Sequence, residues 1–206
     1  MMANIVLCAG HTPEATGAVN AKYNLNEYSE ALVIVECMVD ILKDLDYQVT
    51  TMTGKLRDKV DFINEYKPDL ALDIHFNADY DHLDPYDNDD TRGCGCMVMY
   101  CPKQSRYGGV EPLNYNRKEQ AITMSRVMSN VIKAKDLGGR QGWYWGSNPP
   151  KDKDYFLRKT TCPAFIPELG YIDNNKFCED WLLANRHYEL AEAIVRGILV
   201  HFEEDI

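Results

Sequence analysis

The sequence predicts an α/β fold: a single domain in which a mostly parallel, twisted sheet is flanked by helices on both faces. Short apolar runs alternate along the chain with longer segments of helical spacing, the pattern of strand–helix–strand units. The 206 residues suffice for one sizeable core and are few for two. No internal repeat, low-complexity tract or linker divides them, so residues 1–206 are expected to form one domain without an appended binding module.

"NIVLC" (4–8) is a first strand. A helix over 27–46 places Leu32, Val35, Val39 and Leu42 at helical spacing, and "QVTTM" (48–52) returns as a strand. A second helix is expected at 56–66, then "DLALDIH" (69–75) as a strand. "CMVMYC" (96–101) and "PAFIPEL" (163–169) are further strands flanking a helix near 116–135. A closing helix over 179–203 draws its apolar face from Trp181, Leu182, Ala191, Ile194 and Ile198. Two stretches lack periodicity and are expected as loops: the acidic, turn-rich 78–93 and the 137–154 segment rich in Gly, Pro and aromatics.

Composition narrows the function. Hydrophobic content of 45% is globular, while a net charge of −10 and a pI near 4.9 speak against binding phosphate backbones, so no nucleic-acid partner is expected. "MMANIVLCAGHTPEA" has no basic leader and only a short apolar run, so neither an export signal nor membrane insertion is expected. The seven cysteines are an odd number without zinc-ribbon spacing and are expected as reduced thiols. "GCGC" (93–96) has a one-residue spacer at a strand entry, which makes a poor chelate.

In an open α/β sheet, ligands collect beyond the carboxyl ends of the strands. His11 follows the first strand through Gly10, His75 ends "LALDIH" and Glu168 ends "AFIPEL". If those strands are parallel, the three side chains meet at one edge. Alternation puts Leu70, Leu72 and Ile74 on one face of the strand, Asp73 and His75 on the other. Imidazoles and carboxylates are natural ligands of catalytic zinc. A third ligand could come from Glu27 or Glu30 in "NLNEYSEAL" (24–32), although Asn24 followed by Glu27 also resembles a helix capping box.

"AGHT", "NEYSEAL", "DLALDIHFNA", "GCGCMVMY" and "PAFIPELGYIDN" occur in the order seen in the zinc-dependent N-acetylmuramoyl-L-alanine amidases of the amidase-3 type, from bacterial autolysins and phage endolysins. The resemblance covers essentially the whole chain. It implies Zn2+ held by His11, Glu27 and His75, with Glu168 as the catalytic carboxylate. Glu27 is preferred to Glu30 because "NEY" leading into Leu32 and Ile34 resembles the family's placement of its glutamate. Where many members have Asp-Pro before the first Gly-His and Gly-Gly after it, this chain has Cys8-Ala9 and Thr12-Pro13, which alters the surroundings of His11 and leaves the ligand in place.

The implied reaction is hydrolysis of the amide between the lactyl group of N-acetylmuramic acid and the L-alanine of the stem peptide. Zinc activates water and polarises the carbonyl, while Glu168 moves the proton to the departing amine. The partner is peptidoglycan, and no separate wall-binding module is expected. A phage-type endolysin, made in the cytoplasm and reaching the wall after the membrane is breached, fits best. The alternatives are a zinc carboxypeptidase acting on stem peptides and a non-catalytic wall-binding or phage structural protein. His82, His187 and His201 are expected in surface or packing roles. The aspartates of the 78–93 stretch lack EF-hand spacing and are expected to be solvated, while "GWYWGSNPP" is either a small satellite core or an aromatic platform for substrate.

Overall fold

The computed structural model describes residues 3–78, 95–101, 117–141 and 155–202. Its centre is a six-stranded sheet of β1 (Asn4–Ala9), β4 (Gln48–Met52), β5 (Leu70–Asn77), β6 (Cys96–Tyr100), β7 (Asp136–Gln141) and β8 (Ala164–Tyr171), in the order β4-β1-β5-β8-β6-β7. β4, β1, β5 and β8 pair in parallel, β6 runs antiparallel to β8, and β7 follows β6 in parallel. The mostly parallel sheet of the sequence reading is therefore present, with its last two strands reversed. A two-stranded ribbon, β2 (Val19–Asn20) and β3 (Leu25–Asn26), precedes the first helix.

Helices cover both faces. α1 (Glu27–Asp44) buries Ala31, Ile34, Val35, Met38 and Leu42, a stripe at three- and four-residue spacing. It joins α3 (Arg117–Ile132) and α6 (His187–His201) in the larger core, over Ile5, Leu7, Leu70, Leu72 and Ile74. The other face carries Val6, Cys8, Ala71, Ala164 and Ile166, covered by α2 (Leu56–Tyr66) and α4 (Tyr155–Lys159). Burying strands on both sides is what lets parallel strands be nearly continuous apolar runs. Each fully buried Leu or Ile here contributes roughly 1.5–3 kcal/mol.

Three expectations need correction. The helix cap is Asn26, whose side chain accepts from Ser29 N at 2.9 Å, and Asn24 takes no part in a capping box. The 137–154 stretch is not wholly loop, since Asp136–Gln141 forms the edge strand β7; the rest of it, with the aromatic run, lies outside the described residues. The closing helix is broken: α5 (Asn175–Phe177) runs into a π-helical turn at Cys178–Leu182, and α6 starts only at His187. Asn185, with φ of 57°, makes the break, because a left-handed residue cannot continue a right-handed helix. The acidic stretch from residue 79 onward, with His82 and Cys94, also lies outside the described residues.

Candidate metal centre

β1 and β5 are parallel neighbours, with Ala9 opposite Ile74, so both end at the same edge of the sheet. Gly10 extends β1 by donating its N–H to Ile74 O at 2.8 Å. The next residue, His11, has φ of 63°, a left-handed conformation that turns the chain away from the sheet. Thr12 and Ala15 then close a tight turn with reciprocal hydrogen bonds of 3.1 Å. The ribbon of β2 and β3 leads back to Asn26, whose cap starts α1 at Glu27. His11 and Glu27 thus reach the edge from two sides, and His75 from β5.

The Glu27 carboxylate is the hub. One oxygen, Oε2, lies 2.9 Å from His11 Nε2 and accepts from Ala18 N at 3.0 Å. The other, Oε1, lies 2.7 Å from His75 Nδ1 and accepts from Phe76 N at 3.1 Å. Burial would raise this carboxyl, but hydrogen bonds from His11 and then His75 outweigh it and hold it well below the usual carboxylate range. For His75, burial would lower the imidazole, yet Asp73 and Glu27 hold it well above its ordinary value. Side-chain exposure rises from 4% at Glu27 through 19% at His75 to 34% at His11, so the cluster opens to solvent on its imidazole side.

Two glycines make the room. A Cβ on Gly10 would stand 2.7 Å from the His75 ring, and one on Gly17 would stand 2.4 Å from His11 and 2.5 Å from Glu27. Gly17 also has φ of 77°, which L side chains rarely adopt.

His11, Glu27 and His75 each offer one ligand atom, all within 4.8 Å of one another, and this group could hold a metal ion. Two nitrogens and one oxygen are the donor set of three-residue catalytic zinc sites with an open fourth position. Tetrahedral zinc separates its ligand atoms by roughly 3.3 Å, given metal–ligand distances of about 2.0–2.1 Å. The two Glu27–imidazole contacts, at 2.9 and 2.7 Å, are shorter than that spacing by roughly half an ångström, and the three ligand atoms lie within 4.8 Å of one another. The residues present fit zinc.

Glu30, the other ligand considered, points elsewhere: its Oε2 lies 2.7 Å from Nε2 of His187 on α6. Glu168 lies directly opposite His75 in the β5–β8 register and opposite Met97 on its other side. The parallel register thus sets His75 and Glu168 side by side near the carboxyl ends of their strands, which run on to Asn77 and Tyr171. Five of the six described cysteines are buried, Cys37 being only partly so; burial pushes the Cys96, Cys162 and Cys178 thiols up to about 12.

Two residues given no role from sequence lie behind His75. Asp73 Oδ2 is 3.5 Å from His75 Nε2, and Asp73 Oδ1 is 2.9 Å from Lys59 Nζ. Burial would raise the Asp73 carboxyl, but His75 and Lys59 together hold it lowered. One signal pointed to Lys59: it lies on the helix stripe of Val60 and Ile63, where an apolar residue would be ordinary.

A family model described as N-acetylmuramoyl-L-alanine amidase, of the amidase-3 type, matches residues 5–200. Among solved structures, the chain is similar to the N-acetylmuramoyl-L-alanine amidase from Clostridium difficile 630, at 19% identity and a TM-score of 0.74, covering 100% of this chain and 99% of that one. It is similar to the catalytic domain of the amidase CwlV from Bacillus (Paenibacillus) polymyxa var. colistinus, at 21% identity and a TM-score of 0.73, covering 99% and 100%. It is also similar to the catalytic domain of an endolysin targeting Clostridia difficile, at 18% identity and a TM-score of 0.72, covering 99% of each. No curated protein matches the sequence.

Proposed function

The chain belongs to the amidase-3 family of N-acetylmuramoyl-L-alanine amidases, and from that premise we propose a zinc-dependent mechanism carried by His11, Glu27, His75 and Glu168. It is a peptidoglycan amidase. The observation that carries the mechanism is the convergence of two imidazoles on one buried carboxylate at the carboxyl edge of the sheet, beside Glu168 in register. In this reading His11, Glu27 and His75 hold the metal, and the bond hydrolysed joins the lactyl group of N-acetylmuramic acid to the L-alanine of the stem peptide.

Bound zinc supplies a Lewis acid that polarises the scissile carbonyl and acidifies water. The rest is the work of side chains. Glu27, gripped by Ala18 N and Phe76 N, stays in one orientation and leaves the solvent side of the cluster to water and substrate. Glu168 accepts the proton of the attacking water on its carboxylate and delivers it to the departing amine nitrogen. No cysteine nucleophile is required.

Lysis of sacculi is expected to stop with a chelator and return with zinc, while muropeptide mapping shows intact stem peptides beginning at L-alanine. Loss of a terminal D-alanine alone would instead make the protein a carboxypeptidase. Activity that survives complete metal removal would end the zinc reading. The phage-type lysin role is proposed on the likeness to the endolysin catalytic domain. Its test is co-expression with a membrane-permeabilising partner, which should be needed for lysis from within. Among the described residues, no helix is long and apolar enough to cross a membrane.

A further inference from the structure

We infer that Asp73 and Lys59 are positioning residues for His75, which rests on the zinc reading above. Both are among the most deeply buried charged groups described, at 2% and 1% exposure, and they form an ion pair of 2.9 Å between β5 and α2. The pair sits on the side of the sheet whose other residues, Val6, Cys8, Ala71 and Ala164, are an ordinary apolar core. A buried ion pair is a weak source of stability, because the cost of desolvating both charges offsets most of their attraction. Its place here is explained by what it touches.

Asp73 Oδ2 faces His75 Nε2 at 3.5 Å, while His75 Nδ1 faces Glu27 at 2.7 Å. The two ring nitrogens therefore have separate assignments: Nδ1 toward the metal cluster, Nε2 toward a carboxylate. A carboxylate on the far nitrogen of a metal-bound histidine fixes the tautomer and ring orientation and makes the ligand more basic. Lys59 holds Asp73 in that position. The same ammonium also donates to the carbonyl of Ala9, which is two residues ahead of His11 as Asp73 is two ahead of His75. One charge thus fastens both strand ends that carry imidazoles. Gly10 completes the clamp, since its backbone lies against the His75 ring and its N–H is bound to Ile74 O.

The test separates positioning from stability. Replacing the pair together by apolar residues of similar volume, Lys59→Met with Asp73→Leu, leaves no unpaired buried charge, and such replacements are often neutral or stabilising. Zinc affinity, measured by competition with a chromogenic chelator, should weaken by about 10- to 100-fold while the melting temperature of the variant holds. Affinity within about twofold of the unaltered chain, in a folded variant, would reduce the pair to a structural feature. A second measurement needs no variant: nitrogen-15 NMR of the zinc-loaded protein should show His75 protonated at Nε2 and metal-bound through Nδ1. The opposite tautomer overturns the inference. If the unaltered chain binds no zinc at all, the zinc reading falls and takes this inference with it; unchanged affinity in the variant sinks the inference alone.

Discussion

Two carboxylate–imidazole contacts leave the same turn of α1. Glu27 meets His75 and Glu30 meets His187, each at 2.7 Å, with all four side chains at least four-fifths buried. Proximity and burial do not distinguish them. What differs is convergence. Glu27 is met by a second imidazole and by two backbone N–H groups at the end of parallel strands, whereas Glu30 reaches across to a neighbouring helix. The first arrangement gathers three ligand atoms around one point; the second is a staple between α1 and α6. An acid–histidine pair is thus an ambiguous sign of function until the elements that deliver its third member are known.

The comparison breaks most sharply by mutation. Glu27→Ala or His75→Ala leaves two of the three proposed ligands, and both zinc content and sacculus lysis should be lost. Glu30→Ala should leave the zinc content whole. If metal analysis returned the reverse pattern, the site would belong three residues further along the helix. Next in size is Glu168→Gln, which keeps the shape of the side chain and removes the proposed base. Turnover should fall by roughly two to four orders of magnitude with zinc retained. Near-normal turnover with a lowered melting temperature would make Glu168 a structural group.

How much of this was legible follows from the same contrast. Strand ends, helix stripes and the order of the motifs lie in local patterns, and β1, α1, β4, α2 and β5 fall within about two residues of where periodicity puts them. The carboxyl-edge rule then brings His11, His75 and Glu168 together. β7 was missed because "DLGGRQ" has two glycines and no apolar alternation; pairing with β6 makes it a strand. The ribbon of β2 and β3 is too short to show a period. The choice between Glu27 and Glu30 is not local at all, since it depends on His187 arriving from the far end of the chain. Lys59 and Asp73 each interrupt an apolar pattern, but that they pair with each other shows only when α2 is laid on β5.

A third kind of histidine sharpens the contrast through pH. His201 is packed edge-on against the rings of Phe165 and Phe202, and burial pushes its imidazole down to about 4. Its folded value lies below the ordinary value of about 6.5, so the unfolded chain binds more protons between those limits. The contribution of this group is therefore whole above about pH 6.5 and is lost as the pH falls toward 4. Between pH 7 and pH 5 the loss should be about 2 kcal/mol, from 1.36 kcal/mol per unit of pKa. Denaturant unfolding of His201→Phe should show a shallower decline over that window. Parallel declines in both proteins would mean that other groups set the acid sensitivity.

The smallest effect belongs to the staple. His187→Ala removes a largely buried hydrogen-bonded partner that joins α1 to α6, apart from the His11–Glu27–His75 cluster. One such contact is worth about 1 kcal/mol net, with somewhat more when an ionised partner is left behind. For a chain of this size that corresponds to a melting shift of about 2–4 °C. Glu30→Ala should give a shift of the same size, and the double variant should cost less than the two singles combined, because each single already breaks the one contact. Zinc affinity should be the same in all four proteins. A variant in this series that lost zinc while keeping its melting temperature would show that the first turn of α1 moves as a unit, with Glu30 setting the angle from which Glu27 enters the site. A melting shift with unchanged zinc affinity keeps the two glutamates, three residues apart, energetically separate.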